Sequence, residues 1–447
     1  MKALKEGVLL STRLASLEER DDDSARFVAQ GALAEALGFD SVWVGDSLVA
    51  RPRLEPIAPL GALAARTSRI MLGTAVFLPA IRHPVSAAHL LATIDSLSRG
   101  RLTLGIGTGF KYSGTERELR VFDIPMEQRV GRVLESVTIW RKLWRAEGGA
   151  SHSGRYWSFD SVEVWPRPSR PGGPPIWMGG NSPAAISRAA ENADGFIPTS
   201  ASSEVFRQAA EQLDQRVKRI GRPKLPTAVV LTINVNQDRD RARRELREYM
   251  EVYYGAPLEA LSKFIGCFAG TTADCAEWIT GFVSAGADHL IFRFASTNQL
   301  EQFERAAADL LSTLKLKRRD NRSAESVGRA YAEAWRRGDL QAQLGLCADE
   351  IVLHYFGESP FAGLYEGKAE LVRLLSKIQE RTRRELVAVD DVLSSDERTA
   401  LLVRERFHGG ERPQELERLF LYRVDRGCIV ECWLYDQDQR TFDTLLS

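Results

Sequence analysis

From residue 5 to about residue 316 the chain keeps changing its hydrophobic period: short β-branched or apolar runs give way to stretches whose apolar residues recur every three or four positions. The short runs fall at 7–10, 41–44, 70–77, 102–106, 175–178, 195–198, 228–235 and 289–294. Amphipathic stretches follow them, at 24–37, 56–66, 85–98, 128–144, 183–191, 203–220, 241–253, 272–285 and 299–316. Eight strands interleaved with helices predict an α/β fold, a (β/α)8 TIM barrel. Between 151 and 174 the rhythm breaks. Alternation at 154–159 and 162–165, followed by a Pro/Gly/Arg-rich tract, predicts a hairpin inserted before the fifth strand.

The charged, apolar-poor run KLKRRDNR at 315–322 marks a boundary, which divides the 447 residues into domains of 1–318 and 319–447. Beyond it the pattern predicts helices at 323–337, 340–347 and 368–381, with strands at 351–355, 385–393, 399–407, 417–423 and 428–435. Helices first and an antiparallel meander after them describe an α+β cone, a curved sheet wrapped around a pocket.

Composition narrows the classes of function. Lys plus Arg and Asp plus Glu both total 60, so no global field draws the chain to nucleic acid or an anionic membrane, and neither is expected as a partner. The five cysteines form no CxxC pair, and no signal-like leader or run of about 18 uncharged apolar residues is present; a cytoplasmic location is expected. The six histidines, at 83, 89, 152, 289, 354 and 408, never cluster at ligand spacing, so no metal is expected.

Barrel chemistry sits at the carboxyl ends of strands. After the second predicted strand, Gly45-Asp46-Ser47 offers a carboxylate to orient a bound ring, or simply a helix-entry turn. Further on, His83 before Pro84 is a candidate for acting on substrate and equally a loop or cap residue. The run Gly105-Ile106-Gly107-Thr108-Gly109 exposes backbone N–H groups to an anion or flat ring, but it lacks the GxGxxG spacing of a dinucleotide fold. Gly179-Gly180-Asn181-Ser182-Pro183 leads into a helix whose free N–H groups and dipole suit a phosphate; an ordinary serine cap is the plainer reading.

These segments together resemble the luciferase-like oxidoreductases, which use FMN or the deazaflavin coenzyme F420. The resemblance is carried by GFDSVWVGDSL at 38–48, TSRIMLGTAVFLPAIRHP at 67–84, LATIDSLSRGRLTLGIGTGF at 91–110 and the stretch 154–198 ending in DGFIP. It implies a non-proline cis peptide between Ala75 and Val76 under the cofactor ring, and ring contact by Asp46. It also implies phosphate binding through Gly107, Thr108 and Gly109 and through Gly179, Gly180, Asn181 and Ser182. Two positions depart from it: Ser47 stands where many relatives carry histidine, and Phe110 where the sugar-phosphate dehydrogenases carry glutamate. With that acid/base pair missing, the expectation is monooxygenation of an organic small molecule with reduced FMN supplied by a separate flavin reductase. The alternative is an F420-dependent reductase or dehydrogenase; a flavin-binding protein without turnover is a third reading. A homodimer is expected.

Residues 331–375 and the ending RVDRGCIVECWLYDQDQRTFDTLL resemble the SnoaL-like members of the nuclear-transport-factor-2-like superfamily, which include isomerases and cyclases as well as binding or dimerising modules. His354, Tyr355, Arg404, Glu431, Trp433 and Tyr435 are candidates to line the cone. His354 paired with a carboxylate such as Asp436 would shuttle a proton on an enolisable, polyketide-like substrate; an inert pocket or dimer surface is the competing reading.

Overall fold

A computed structural model describes residues 4–13, 24–49, 53–109, 113–296, 299–314, 323–395, 397–408, 412–425 and 427–446. It divides the chain into two compact units, with the division between Thr313 and Leu314. The run 315–322 and Phe110 lie outside the described residues.

In the first unit, β1 (Lys5–Leu10), β2 (Ser41–Val44), β3 (Met71–Phe77), β4 (Leu102–Ile106), β7 (Ile176–Gly179), β8 (Gly195–Ile197), β9 (Ala228–Val235) and β11 (His289–Phe294) pair in parallel in the order β9-β11-β1-β2-β3-β4-β7-β8. A bridge between Phe196 and Thr227 joins the two ends of the sheet into a barrel. The eight strands are those the periodicity predicts. One more, β10 (Cys267–Gly270), adds to the carboxyl half of β9 and was not expected. The hairpin is present but displaced: its strands are β5 (Ala150–Ser153) and β6 (Ser158–Val162), and residues 154–157 form the turn. Residues read as its first strand therefore supply the bend, because Glu135 accepts the backbone N–H groups of Arg155, Tyr156 and Trp157 and ties them down.

The barrel lumen is packed by Leu9, Trp43, Trp177, Ile197, Ala228 and Ile291. Glycine opposite each indole makes room: a Cβ on Gly73 would lie 2.3 Å from Trp43, and one on Gly195 would lie 2.5 Å from Trp177. At the amino end Trp43 Nε1 donates to Ser41 Oγ, which lies 2.7 Å from His289 Nε2. Burial pushes His289 down to about 3, so it stays a neutral core group. The amino end is thus closed, and ligands must enter at the carboxyl end.

The second unit is a six-stranded mixed sheet in the order β13-β12-β17-β16-β15-β14, made of β12 (Cys347–Tyr355), β13 (Gly363–Glu366), β14 (Glu385–Ser394), β15 (Arg398–Phe407), β16 (Gln414–Asp425) and β17 (Cys428–Asp436). The helices Ala324–Arg336 and Lys368–Thr382 place Val327, Leu374 and Ile378 against a core that includes Leu353, Val403, Phe420 and Leu434 of the sheet. The short β13 and the final helix Gln439–Leu446 were not foreseen, and β12 pairs with β17 in parallel, so the sheet is not a pure meander.

Candidate functional site

At the carboxyl end of the barrel β3 departs from regular pairing with β4 between Thr74 and Phe77, and the Ala75–Val76 peptide is cis, as the resemblance implies. This bulge carries the Val76 side chain across the barrel mouth. A Cβ on Gly107 would lie 2.5 Å from Val76 Cγ2, and one on Gly179 would lie 3.4 Å from Val76 Cγ1. Glycine at 107 is therefore required by close approach, and the bulge, the turn after β4 and the turn after β7 meet as one surface.

The turn after β7 continues through Gly180, whose φ of 117° suits glycine, into the helix Pro183–Asn192. Ser182 Oγ accepts the Ala185 N–H at 3.2 Å, so the ordinary serine cap is present. Asn181 Nδ2 donates to the Thr199 carbonyl at 3.0 Å. Thr108 and Gly109 complete the turn after β4, with Gly109 at a φ of 74°. Between the two turns runs a cleft lined by Thr108, Val130, Met178, Gly179 and Arg188. Arg188 enters it from one helix, and Arg129 begins the helix Arg129–Arg145 on the other side. Desolvation, followed by the nearby Arg129 charge, lowers the Arg188 pKa, and Arg129 Nε is buried without a partner. An arginine lining the cleft with a second cation close by suits a phosphate. Both were missed from sequence, since an arginine on an amphipathic helix normally reads as solvated surface.

Asp46 sits beside the bulge, but its oxygens are already engaged. Oδ2 accepts from Arg82 Nη1 at 2.6 Å and from the Leu78 N–H at 2.9 Å, and Oδ1 accepts from Arg82 Nη2 at 3.1 Å. Burial raises its pKa against the opposing pull of Arg82. It clamps the loops after β2 and β3 together. Ser47 Oγ donates to Glu118 at 3.1 Å, and Glu118, a buried carboxylate that no motif signalled, also accepts the Leu48 and Val49 N–H groups. His83 is exposed and stands at the entry of the helix Pro84–Leu97 without a side-chain cap bond.

In the second unit His354 is paired with a carboxylate, but it is Glu431 and not Asp436. His354 is opposite Trp433 in the β12–β17 register, with their rings stacked 5.3 Å apart, and its Nε2 lies 2.8 Å from Glu431 Oε1. Asp436 lies on the opposite face, which carries Cys432 and Leu434 into the core. There Asp436 binds Arg418 Nε at 2.5 Å, while Arg418 Nη1 binds Glu405 at 2.8 Å. Of the candidate lining residues, Tyr355 shares this core face, whereas Glu431, Trp433 and Tyr435 share the face of His354, and Arg404 makes a half-exposed ion pair with Asp390.

The barrel mouth fits a flavin-type cofactor. Gly107 and Gly179 admit Val76 to the barrel mouth, and Arg188 lines the cleft where a phosphate would lie, with Arg129, its Nε buried without a partner, close to Arg188. Among the described residues no cluster of metal-binding side chains is found. The family profile of the luciferase-like monooxygenases matches residues 4–289. The chain belongs to the luciferase-like monooxygenase family. Residues 328–432 match the SnoaL-like domain profile.

This luciferase-like chain is 37% identical over 224 residues, 48% of its own length and 65% of the relative's, to an F420-dependent glucose-6-phosphate dehydrogenase of Nakamurella multipartita. It is 32% identical over 306 residues, 62% of its own length and 88% of the relative's, to the enzyme of that name from Microbacterium testaceum. In fold it resembles an F420-dependent secondary alcohol dehydrogenase solved with an F420-acetone adduct, at a TM-score of 0.60 and 20% identity over 70% of this chain and 99% of that one. It equally resembles the long-chain alkane monooxygenase LadA, at 0.59 and 16% over 70% and 92%. Among the described residues no helix is long and apolar enough to cross a membrane.

Proposed function

We propose that the barrel is an F420-dependent oxidoreductase that moves a hydride between the deazaflavin and an organic small molecule. The observation that carries this reading is the 32% identity across 88% of a relative named as F420-dependent. It replaces the expectation of an FMN-dependent monooxygenase with a partner reductase, whose support comes from structures of 22% identity or less that speak for the fold alone. Thr108 and Gly109, with Asn181 and Ser182, present backbone N–H groups to the cofactor phosphate; Gly107, Gly179 and Gly180 keep the turns free of side chains, the N–H groups of Gly107 and Gly180 being spent on the Phe77 and Ile197 carbonyls, and Arg129 and Arg188 supply the counter-charge. Ala75 and Val76 support the ring from beneath. When bound, the deazaflavin supplies the hydride donor or acceptor.

Oxidation of a sugar phosphate is not proposed. Ser47 and Phe110 replace the histidine and glutamate that serve that reaction in the family, and Ser47 is bonded to Glu118. Parallel anaerobic titrations with F420, FMN and reduced FMN test the reading. Preferential binding of F420 is expected. Preference for reduced FMN, followed by oxygen consumption on admitting air, would overturn it.

For the SnoaL-like domain we favour a non-catalytic role in ligand binding and homodimer formation. His354 and Asp436 are on opposite sheet faces, and the face of His354 exposes Tyr435 at 44% with Phe356 stacked on it at 5.2 Å. Light scattering on the full chain and on Tyr435→Glu tests this, with a dimer expected for the first and a monomer for the second. A monomeric full chain would sink it.

A further inference from the structure

With the cofactor phosphate on the β4–β7 side of the mouth and its ring on the β3 bulge, the β11–β1–β2 side remains for the second reactant. That side is lined by arginine and tyrosine. Arg293 follows the lumen-facing Ile291 by two residues on β11, so it stands on the inner face at the carboxyl lip. Its guanidinium carbon lies 4.9 Å from the Tyr253 ring centre and 5.5 Å from that of Tyr254, and it donates to the Tyr254 hydroxyl. Arg13, just beyond β1, lies 4.3 Å over the Tyr253 ring and donates to the Tyr253 carbonyl. Arg53 arrives from the loop after β2. Its Nη1 is 3.2 Å from the point a Cβ on Gly45 would occupy, and the Ala75 carbonyl is 3.8 Å from the same point. The guanidinium of Arg53 is therefore next to the bulge under the proposed ring.

Cations gathered this closely repel one another unless an anion joins them. Elsewhere the chain neutralises its inward arginines: Arg82 with Asp46, and Arg418 with Glu405 and Asp436. Here, among the described residues, no carboxylate ion-pairs Arg53 or Arg293; the ionisable groups around Arg293 are the phenols of Tyr254, Tyr253 and Tyr249. The Nε of Arg53 is buried without a partner. Burial would push the Tyr253 hydroxyl up, and Arg293, Arg53 and Arg13 outweigh it and bring it down.

The geometry points to an oxyanion subsite in which Arg53 and Arg293, with the Tyr254 hydroxyl, hold a carboxylate or phosphate of the substrate beside the ring. The substrate class is then a small organic anion. The position of the ring rests on the F420 reading; the arginine pair does not. A planar guanidinium pair matches either oxyanion through bidentate bonds.

Calorimetric titration of the full chain with inorganic phosphate and with benzoate, at low ionic strength and with or without F420, tests the subsite. Wild type is compared with Arg53→Gln, Arg293→Gln and the surface control Arg207→Gln. One probe is expected to bind wild type and the control alike, and to bind Arg53→Gln at least about tenfold more weakly. The probe that binds distinguishes phosphate from carboxylate. Should Arg293→Gln unfold, Arg53→Gln, on a half-buried loop side chain, still carries the test. Equal affinity in wild type and Arg53→Gln, or no binding of either probe, overturns the subsite. If F420 does not bind but the Arg53-dependent anion binding persists, the cofactor reading falls and the subsite stands.

Discussion

Arg82 and Asp46 form a two-point ion pair, 2.6 Å and 3.1 Å, that joins the loop after β3 to the end of β2 beside the cis bulge. The Asp46 side chain is wholly buried and that of Arg82 is 14% exposed. Removing the charge from one partner leaves the other poorly compensated, which for buried pairs costs about 3–5 kcal/mol. Arg82 keeps Glu55 at 3.1 Å, so Asp46→Asn should fall at the lower end, measured as the shift in a urea transition. A loss of cofactor affinity should accompany it because the bulge loosens. Unchanged stability with abolished turnover would return Asp46 to a direct catalytic role.

Glu35 fixes the entry to β3 from the helix Ser24–Ala36. Its carboxylate accepts the N–H groups of Ile70 and Arg69 at 2.7 Å and of Ser68 at 3.1 Å. Burial alone would raise its pKa, but these donors outweigh it and hold the group below its ordinary 4.5. A depressed folded-state pKa means stabilisation present above the ordinary value and lost as pH falls through the folded one. Glu35→Gln should therefore cost about 1–3 kcal/mol near neutral pH, and its deficit should shrink in denaturation series taken progressively below 4.5. A deficit independent of pH would show that shape, not charge, makes the contact.

Much of the barrel was legible because each strand of Val, Ile and Leu is bounded by a change to helical period, and because Gly107 and Gly179 stand where backbone must admit close approach, here of the Val76 side chain. β10 was not: four residues, Cys267–Gly270, are too few to establish a period. In the cone, alternation grouped 431, 433 and 435 correctly, yet periodicity alone cannot say which face is the core. That depends on pairing between distant strands, such as His354 with Trp433, and so the pairing of His354 with Asp436 was misread. The neighbouring pair Arg129 and Arg188 was hidden for a related reason. Arg129 and Arg188 become neighbours only when their two helices meet across the cleft.

Those two arginines give a sharp test of the phosphate end. Arg188→Ala should weaken F420 binding by about tenfold to a hundredfold, since a charge-assisted bond is worth about 1.5–3 kcal/mol. The wild-type affinity should fall with added salt more steeply than that of the variant. A deazaflavin lacking its phosphate arm should bind wild type and Arg188→Ala equally, read by fluorescence titration. Equal losses for both ligands would mean that Arg188 supports the fold of the cleft and not the phosphate.

In the cone, Arg418 is wholly buried between Glu405 and Asp436 and lies 4.2 Å from the Phe442 ring centre. Arg418→Met leaves Asp436 without a counter-ion, whereas Glu405 retains Arg384 at 3.4 Å. The loss should be about 3–5 kcal/mol. Adding Asp436→Asn should recover part of it, because the stranded charge is removed. Burial already raises the Asp436 pKa, and without Arg418 it rises further. A raised folded-state pKa means that protonation favours the folded form, so the deficit of Arg418→Met should lessen as pH falls, while that of the double variant should stay level. Chemical denaturation of the three proteins across the acid range reads this directly. A single variant whose deficit does not change with pH would place the cost in lost packing against Phe407, Phe420 and Phe442 instead of in the stranded carboxylate.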